Sequence, residues 1–549
     1  MPKFQYTIQG IAADGPLSVE GTAQSRWENA DENGFRFTII KAAPELPACT
    51  LGSVTAEIPI EIGEQEFVYM NGFQAWSYSP ELSRKGKMAG VGRVFPKPLV
   101  DHYGLDRYGD YYYTKYPNKA GITQGVSYCY FRDGERFRLI ASLDERPGYM
   151  QFFYDAIHNR LTLRRDCEGL KAEGTFKAFD LYFASGSEDE VFDGWFDAMD
   201  IRPREVKPLF GYTSWYNRYE NITQDTMLSD LESAAAVLKS GDLFQIDDGW
   251  EPAVGDWLEA DPVKFPDGMK AMADAVHAKG LKAGLWLAPF VACNKSAVYK
   301  AHPQWFYFHD WKPWYCGSNW GGFYALDIDQ PEVREYLKKT FRRVFDEWGF
   351  DLVKLDFLYA AAPFGNENET RAGRMIRAME FLRELCGDKL ILGCGVPLVP
   401  AFGLVDYCRI SCDVGLDWND NPVMQRINRE RVSTKQAIEN AVYRRHLNGR
   451  AFGSDPDVFY LRDENVKLSA EEKKLLAINC ALFGTVHLCS DDMGTYTGIK
   501  KDAWNRLRRI GEEAKDRKVS HTLDEKGKVS LNINYRLEDK EYTYAVPLK

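Results

Sequence analysis

From Phe210 onward the chain repeats one pattern, a short apolar run closed by polar residues and followed by a stretch with helical period. The runs are F-G-Y-T-S-W (210–215), L-F-Q-I-D-D (243–248), K-A-G-L-W-L-A-P (282–289), L-V-K-L-D-F (352–357), L-I-L-G-C-G (390–395), Y-C-R-I-S-C-D (407–413), R-A-F-G-S-D (450–455) and T-V-H-L-C-S-D-D (485–492). Amphipathic segments at 226–239, 266–279, 331–348, 371–386, 433–446 and 469–479 lie between them, and 502–515 follows the last. Strands separated by helices pair in parallel, because the crossover returns the chain to the same end of the sheet. Eight such strands over roughly 300 residues match a (β/α)8 barrel.

A chain of 549 residues also exceeds what one compact core organises, so further domains are expected. Before residue 200 the texture is β-rich. Runs such as F-R-F-T-I-I (36–41), V-S-Y-C-Y-F (126–131), F-R-L-I-A-S-L (137–143) and R-L-T-L-R-R (160–165) are separated by turn residues. They predict an N-terminal β-sandwich. After the barrel, V-S-L-N-I-N-Y-R-L and Y-T-Y-A-V-P-L return to alternation and predict a small C-terminal β domain. The expected architecture is multidomain α+β, divided at 1–204, 205–515 and 516–549.

The barrel strands share a second property: most end in a carboxylate. Asp247 and Asp248 close the second, Asp356 the fourth and Asp413 the sixth; Asp455 and Asp457 follow the seventh, Asp491 and Asp492 the eighth. Barrel enzymes assemble their sites at this C-terminal rim. Trp215, Trp250 and Trp286 add rings to it. In the fourth strand Lys354 and Asp356 stand two residues apart and share a face, inside an otherwise apolar run. Two buried charges cost several kcal/mol unless they pair or react.

An acidic rim with aromatic walls suits divalent-metal binding or glycoside cleavage. The aromatic platforms and the lysine beside Asp356 favour the second. No H-E-x-x-H, C-x-x-C or phosphate-binding loop is present, so no metal and no cofactor is expected. A net charge of −11 argues against nucleic acid or an anionic membrane as partner. Eleven scattered cysteines, no leader-like opening and no apolar run long enough for a membrane helix fit a cytoplasmic protein.

Several motifs together carry a family resemblance: I-D-D-G-W (246–250), V-K-L-D-F (353–357), L-G-C-G-V-P (392–397), R-I-S-C-D (409–413), N-G-F-Q-A-W (71–76), G-Y-T-S-W-Y (211–216), G-L-W-L-A-P-F (284–290) and S-D-P-D (454–457). In order and spacing they resemble the clan D α-galactosidases, most closely the short form of glycoside hydrolase family 36. The resemblance implies a retaining exo-α-galactosidase acting on small galactosides of the melibiose or raffinose type. Asp356 becomes the nucleophile and Asp413 the acid/base. Asp247 and Asp248 accept the 4- and 6-hydroxyls, Lys354 and Arg409 contact ring hydroxyls, and Trp286, Trp215 and Trp76 form walls. Cys394 and Gly395 line the region of the 2-hydroxyl. There the C-G-V-P stretch departs from the glycine run of the long members, which keeps an α-N-acetylgalactosaminidase as an alternative. From other classes, a non-catalytic galactoside-binding protein on a hydrolase scaffold and a metal-dependent barrel enzyme are the rivals.

The small oligosaccharide is the expected partner, and oligomeric state is not legible. Asp455, Asp457, Asp491 and Asp492 read as structural strand-end acids. The aromatic stretch 302–324, with Trp311, Trp314 and Trp320, reads as a rim loop positioned for leaving-group contacts.

Overall fold

A computed structural model describes residues 4–23, 34–88, 118–523 and 529–547, with 28–29, 90, 96 and 98 as isolated positions between them. Among the described residues the N-terminal region forms two antiparallel sheets of seven strands each. Its longest strand, Glu45–Pro59, pairs with Phe4–Ala12, Arg160–Arg165 and Lys171–Thr175. Buried and exposed residues alternate along most of that strand, as a half-buried strand requires. Ile8, Val54 and Leu163 of one sheet meet Ile40, Phe131 and Leu181 of the other in a single apolar core, which makes the expected β-sandwich.

The helix Glu188–Met199 leads out of the sandwich. Ser187 and Glu190 close a capping box at its start, and Val191, Phe192, Trp195 and Phe196 form its buried face. Trp195 donates its ring N–H to Ser142 O (3.0 Å) and packs 5.9 Å from the Phe402 ring of the barrel.

The barrel strands are Leu209–Thr213, Leu243–Ile246, Lys282–Leu287, Leu352–Leu355, Leu390–Gly393, Tyr407–Arg409, a seventh in two pieces (Gly453–Asp455 and Val458–Phe459), and Val486–Cys489. All pairs among them are parallel. The seventh strand breaks at Pro456, which has no N–H to give a ladder. Its first piece pairs with the sixth strand and its second with the eighth, and Thr485 N–H bonds Ser454 O (2.8 Å) across the break. The ring therefore closes through one proline-kinked strand. Helices lie at each predicted segment; between the fifth and sixth strands stands only the short turn Leu398–Ala401. Among the described residues no helix is long and apolar enough to cross a membrane.

The C-terminal unit is a three-stranded antiparallel sheet, Lys515–Leu523, Val529–Leu537 and Lys540–Pro547. Its first strand is one that alternation in sequence does not single out. Leu531, Ile533 and Val546 join the same apolar cluster as the barrel, so this small sheet shares the barrel's core.

Sandwich, barrel and C-terminal sheet meet at one buried ion pair. Arg132 bonds Glu81 through Nε (2.8 Å) and Nη2 (2.5 Å), while His521 stacks on Phe67 (4.3 Å) and hydrogen-bonds Tyr443 (3.0 Å). Burial raises the Glu81 carboxyl, but the Arg132 guanidinium outweighs it and holds the group below its ordinary value. A depressed carboxylate contributes stability that is present above its unfolded pKa and lost as pH falls through the folded one. Glu81→Ala, which strands the Arg132 charge, is expected to cost about 3–5 kcal/mol at neutral pH. Urea midpoints of the two proteins would measure it, and the gap should narrow in acid below about pH 4; a gap independent of pH would refute the ion-pair account.

Candidate active site

The expected site residues stand at the C-terminal rim of the barrel, and their hydrogen bonds sort them into two charged groups around Asp356. The first group spans the second and fourth strands. Lys354 Nζ lies 2.8 Å from Asp247 Oδ2, and both side chains are buried. Gln245 donates to the same oxygen (3.0 Å), Asp247 N–H bonds Ser214 Oγ (2.9 Å), and Asp248 N–H bonds Asp247 Oδ1 (3.0 Å). Burial works against the lysine charge, yet Asp247 and, more weakly, Asp356 raise its pKa above the ordinary lysine value. Lys354 is thus a fixed cation whose direct partner is Asp247, not the adjacent Asp356.

The second group belongs to the sixth and seventh strands. Arg409 is fully enclosed and gripped by three carboxylates: Nη1 to Asp413 Oδ1 (2.9 Å), Nε to Asp455 Oδ2 (3.1 Å) and Nη2 to Asp457 Oδ1 (2.7 Å). Burial disfavours its charge, but Asp457 and Asp455 hold the guanidinium pKa well above normal. Tyr216 donates to Asp457 Oδ2 (2.5 Å), which also accepts Val414 N–H (2.8 Å). Burial lifts Asp457 to about 6 against the pull of Arg409. Asp413 differs from the others: its side chain is 40% exposed, and its contact with Arg409 orients one oxygen only.

Asp356 lies between these groups. Its N–H continues the parallel ladder to Leu287 O (2.8 Å), so the strand itself fixes the residue. Trp286 Nε1 donates to Oδ2 (3.2 Å) and Phe357 N–H to Oδ1 (2.9 Å). The Cys394 thiol adds a further hydrogen bond. Phe357 adopts φ +53°, a left-handed conformation costing a bulky residue about 1–3 kcal/mol. That turn points its N–H back at the carboxylate. Burial raises the Asp356 pKa, Lys354 lowers it, and Asp413 raises it again. The net direction is upward: the lysine favours the charged form through space but does not overcome burial.

The aromatic walls come from three parts of the chain. Trp286 stands on the third strand. Trp76 arrives from the sandwich on the segment 71–79, which is stitched to the barrel at several points. Ala75 N–H bonds Val396 O (2.9 Å), Ser79 N–H bonds Asn440 Oδ1 (2.9 Å), and the buried Arg444 donates to the carbonyls of Gln74, Ala75 and Ser77. The Trp76 ring lies edge-on to Phe357 (5.2 Å) and covers Gly395. Trp215, at the end of the first strand, is half-buried with its ring 5.3 Å from that of Tyr219.

The loop 302–324 divides. Trp311 is 97% exposed at a hairpin tip and Trp314 is buried against Phe364. Trp320, also at positive φ, reaches into the rim and donates its ring N–H to Asp248 Oδ2 (2.8 Å). It therefore touches a carboxylate assigned to the sugar rather than to the leaving group. Asp455 and Asp457, expected as structural acids from their sequence position, hold Arg409 in place; the S-D-P-D motif is the signal that marks them. Asp491 and Asp492 do serve the backbone, accepting the N–H groups of Leu461 and Arg462 and of Gly494. Glu251, buried against Asp248, carries no sequence signal beyond following I-D-D-G-W.

Comparison with known proteins points the same way. A sequence model of the family described as Melibiase matches residues 204–380. An α-galactosidase of Escherichia coli is 29% identical over 192 residues, covering 33% of this chain and 26% of that protein. The α-galactosidase Mel36A of Lactobacillus acidophilus is 30% identical over 161 residues, covering 28% and 21%. The chain thus spans about a quarter of the length of these curated relatives. In structure it is similar to the Thermus thermophilus α-galactosidase TtGalA in complex with p-nitrophenyl α-D-galactopyranoside. That match has a TM-score of 0.70 and 26% identity, covering 95% of this chain and 99% of the other. The family 36 α-galactosidase AgaA of Geobacillus stearothermophilus shares the fold at a TM-score of 0.57 and 12% identity, covering 96% and 80%. The chain resembles the family 36 α-galactosidases.

The fit between Trp76 and Gly395 can be tested directly. A Cβ on Gly395 would lie 2.9 Å from two Trp76 ring carbons and 3.1 Å from Phe357 N, at φ +55°. Gly395→Ala is expected to destabilise the chain by about 1–3 kcal/mol and to shift tryptophan fluorescence. A variant with unchanged Tm and emission would show that the wall yields freely.

Proposed function

We propose that this chain is a glycoside hydrolase, a retaining exo-α-galactosidase that removes terminal α-linked galactose from small galactosides by double displacement. The observation that carries the proposal is the contrast between two rim carboxyl groups close enough to influence each other. Asp356 is buried and hydrogen-bonded at both oxygens, whereas Asp413 is part-exposed and anchored through one oxygen. A nucleophile has to be held rigid; an acid/base has to exchange protons with a leaving group and then with water. Asp356 attacks the anomeric carbon as the glycosidic C–O bond breaks, and Asp413 gives its proton to the departing oxygen. Asp413 then takes a proton from water, whose oxygen attacks the same carbon and releases Asp356. Arg409 occupies Asp413 Oδ1, leaving Oδ2 to present the proton.

Asp247 and Asp248 accept the galactose 4- and 6-hydroxyls, an acceptor pair suited to the axial 4-hydroxyl. Lys354 and Arg409 contact the remaining ring hydroxyls, and Trp286, Trp215 and Trp76 form the walls. Cys394 and Gly395 face the 2-hydroxyl. The Trp76 ring closes down on Gly395, which supports galactose over N-acetylgalactosamine as the sugar. Stachyose bound to TtGalA and raffinose bound to an AgaA variant support raffinose-type substrates. The working units are 1–204, 205–515 and 516–549. All eleven cysteines are buried free thiols, which supports a reducing, cytoplasmic setting.

Incubation with an aryl α-galactoside and with the matching α-N-acetylgalactosaminide, followed by proton NMR, separates the possibilities. Early α-galactose is expected; early β-galactose would defeat retention, faster release of N-acetylgalactosamine would favour the alternative sugar, and no turnover would favour a binding protein. Asp356→Asn should lower kcat by at least about 10⁴-fold while leaving galactose binding measurable by calorimetry, and retained turnover would remove Asp356 from its role.

A further inference from the structure

Asp247 and Asp248 are adjacent in sequence but are neutralised differently. Asp247 is matched by Lys354 at 2.8 Å. Asp248 has no basic partner among the described residues; its neighbour is a second buried carboxyl, Glu251, with which it shares a hydrogen bond. Both carboxyls are at most 5% exposed. Two adjacent buried carboxylates without a cation cannot both hold a charge, so the pair keeps one proton.

Hydrogen bonding decides where the charge rests. Asp248 Oδ2 receives the Trp320 ring N–H at 2.8 Å, a strong contact to an anion. Glu251 receives only backbone N–H groups, its own and, at a long 3.3 Å to Oε2, that of Gly249. Asp248, with the stronger donor, takes the charge and Glu251 keeps the proton. The other charged groups around the pair are Asp247 and the exposed Glu220, both raising Asp248. Lys264 sits behind it, bonded to the carbonyls of Glu220 and Gly249 rather than to either carboxyl.

We propose that Glu251 is a positioning residue for substrate binding: as a neutral acid it donates its O–H to Asp248, holding that carboxylate ionised and turned toward a sugar hydroxyl. The proposal rests on the sugar-binding role given to Asp248 above. Glu251, which does not itself touch the sugar, thereby lowers the pH at which galactose affinity is lost. Burial lifts Asp248 to about 6, while the bond from Glu251 pulls it down and Glu251 itself stays protonated well above the ordinary carboxylate range. Protonated Asp248 loses acceptor capacity, so sugar binding weakens as pH falls through about 6.

The test uses the full chain with Asp356→Asn, so that neither turnover nor the Asp356 titration enters. Galactose affinity is measured by calorimetry from pH 5 to 8 in this host and with Glu251→Gln or Glu251→Leu added. The amide can still donate to Asp248, and the leucine cannot. Glu251→Gln is expected to keep the acid midpoint at or below that of the host. Glu251→Leu should move it up by about one unit and weaken binding severalfold at pH 6. Equal shifts in both variants, or no shift with leucine, would overturn the proposal.

Difference infrared spectroscopy reads the proton without any sugar. At pH 7 the host should show a buried protonated-carboxyl band that Glu251→Gln removes, and this holds even where the leucine variant folds poorly; a band unchanged by Glu251→Gln would equally overturn the proposal. A host that shows the band but binds no galactose would instead sink the sugar role of Asp248, and the positioning role with it.

Discussion

Buried charge at the barrel rim has to be matched, and the structure around the site is arranged to match it. Arg409 is the tightest case: three carboxylates from the sixth and seventh strands close on one guanidinium. Because its planar fork can serve several acceptors at fixed angles, it sets where Asp413, Asp455 and Asp457 stand relative to one another. The seventh strand breaks at Pro456, between two of those three acids, so the kink that completes the barrel also presents both carboxylates to Arg409. Lys354 does the same for Asp247 across the second and fourth strands. Removing either cation would leave uncompensated buried acids, a cost of several kcal/mol each.

The space between these two groups explains the chemistry open to Asp356. It has no direct cationic partner among the described residues; a ring N–H, a backbone N–H and a thiol hold it instead. Neutral donors steady an anion without neutralising it, which is what the nucleophile proposed above requires. The strained backbone at Phe357 is part of the same device, since the left-handed turn aims the N–H at the carboxylate. Trp76 then packs on Phe357 from above, so the sandwich bears directly on the residue after Asp356. Arg444, donating to three carbonyls of the sandwich segment and to Ile410 O, makes that contact rigid rather than incidental.

Much of this was legible in sequence. The alternation of apolar strands and helical segments carried the barrel, because both periods are local and each strand is buried on both faces. Strand-end carboxylates pointed to the rim, since the direction of the chain tells which end of a parallel strand a residue occupies. Three things were not legible. The seventh strand's division needs its two neighbours to define it. The first strand of the C-terminal sheet, K-D-R-K-V-S-H-T-L, has too few apolar residues for alternation to mark it. The Glu251–Asp248 contact depends on a loop geometry around Gly249, at φ +111°, that residue type alone does not specify.

The sequence by itself determined which residues are charged, which strand each one ends and in what order those strands follow. These are properties of the chain read locally. Tertiary structure alone decided the pairing: that Lys354 answers Asp247 and not Asp356, that Arg409 gathers acids from two strands, and that Trp320 turns to Asp248. The reason is physical. Lys354 and Asp356 share a face at a fixed spacing along one strand, whereas Asp247 is brought within 2.8 Å only by closing the ring. Once the rim is sealed from water, the partner at hydrogen-bonding distance governs the charge.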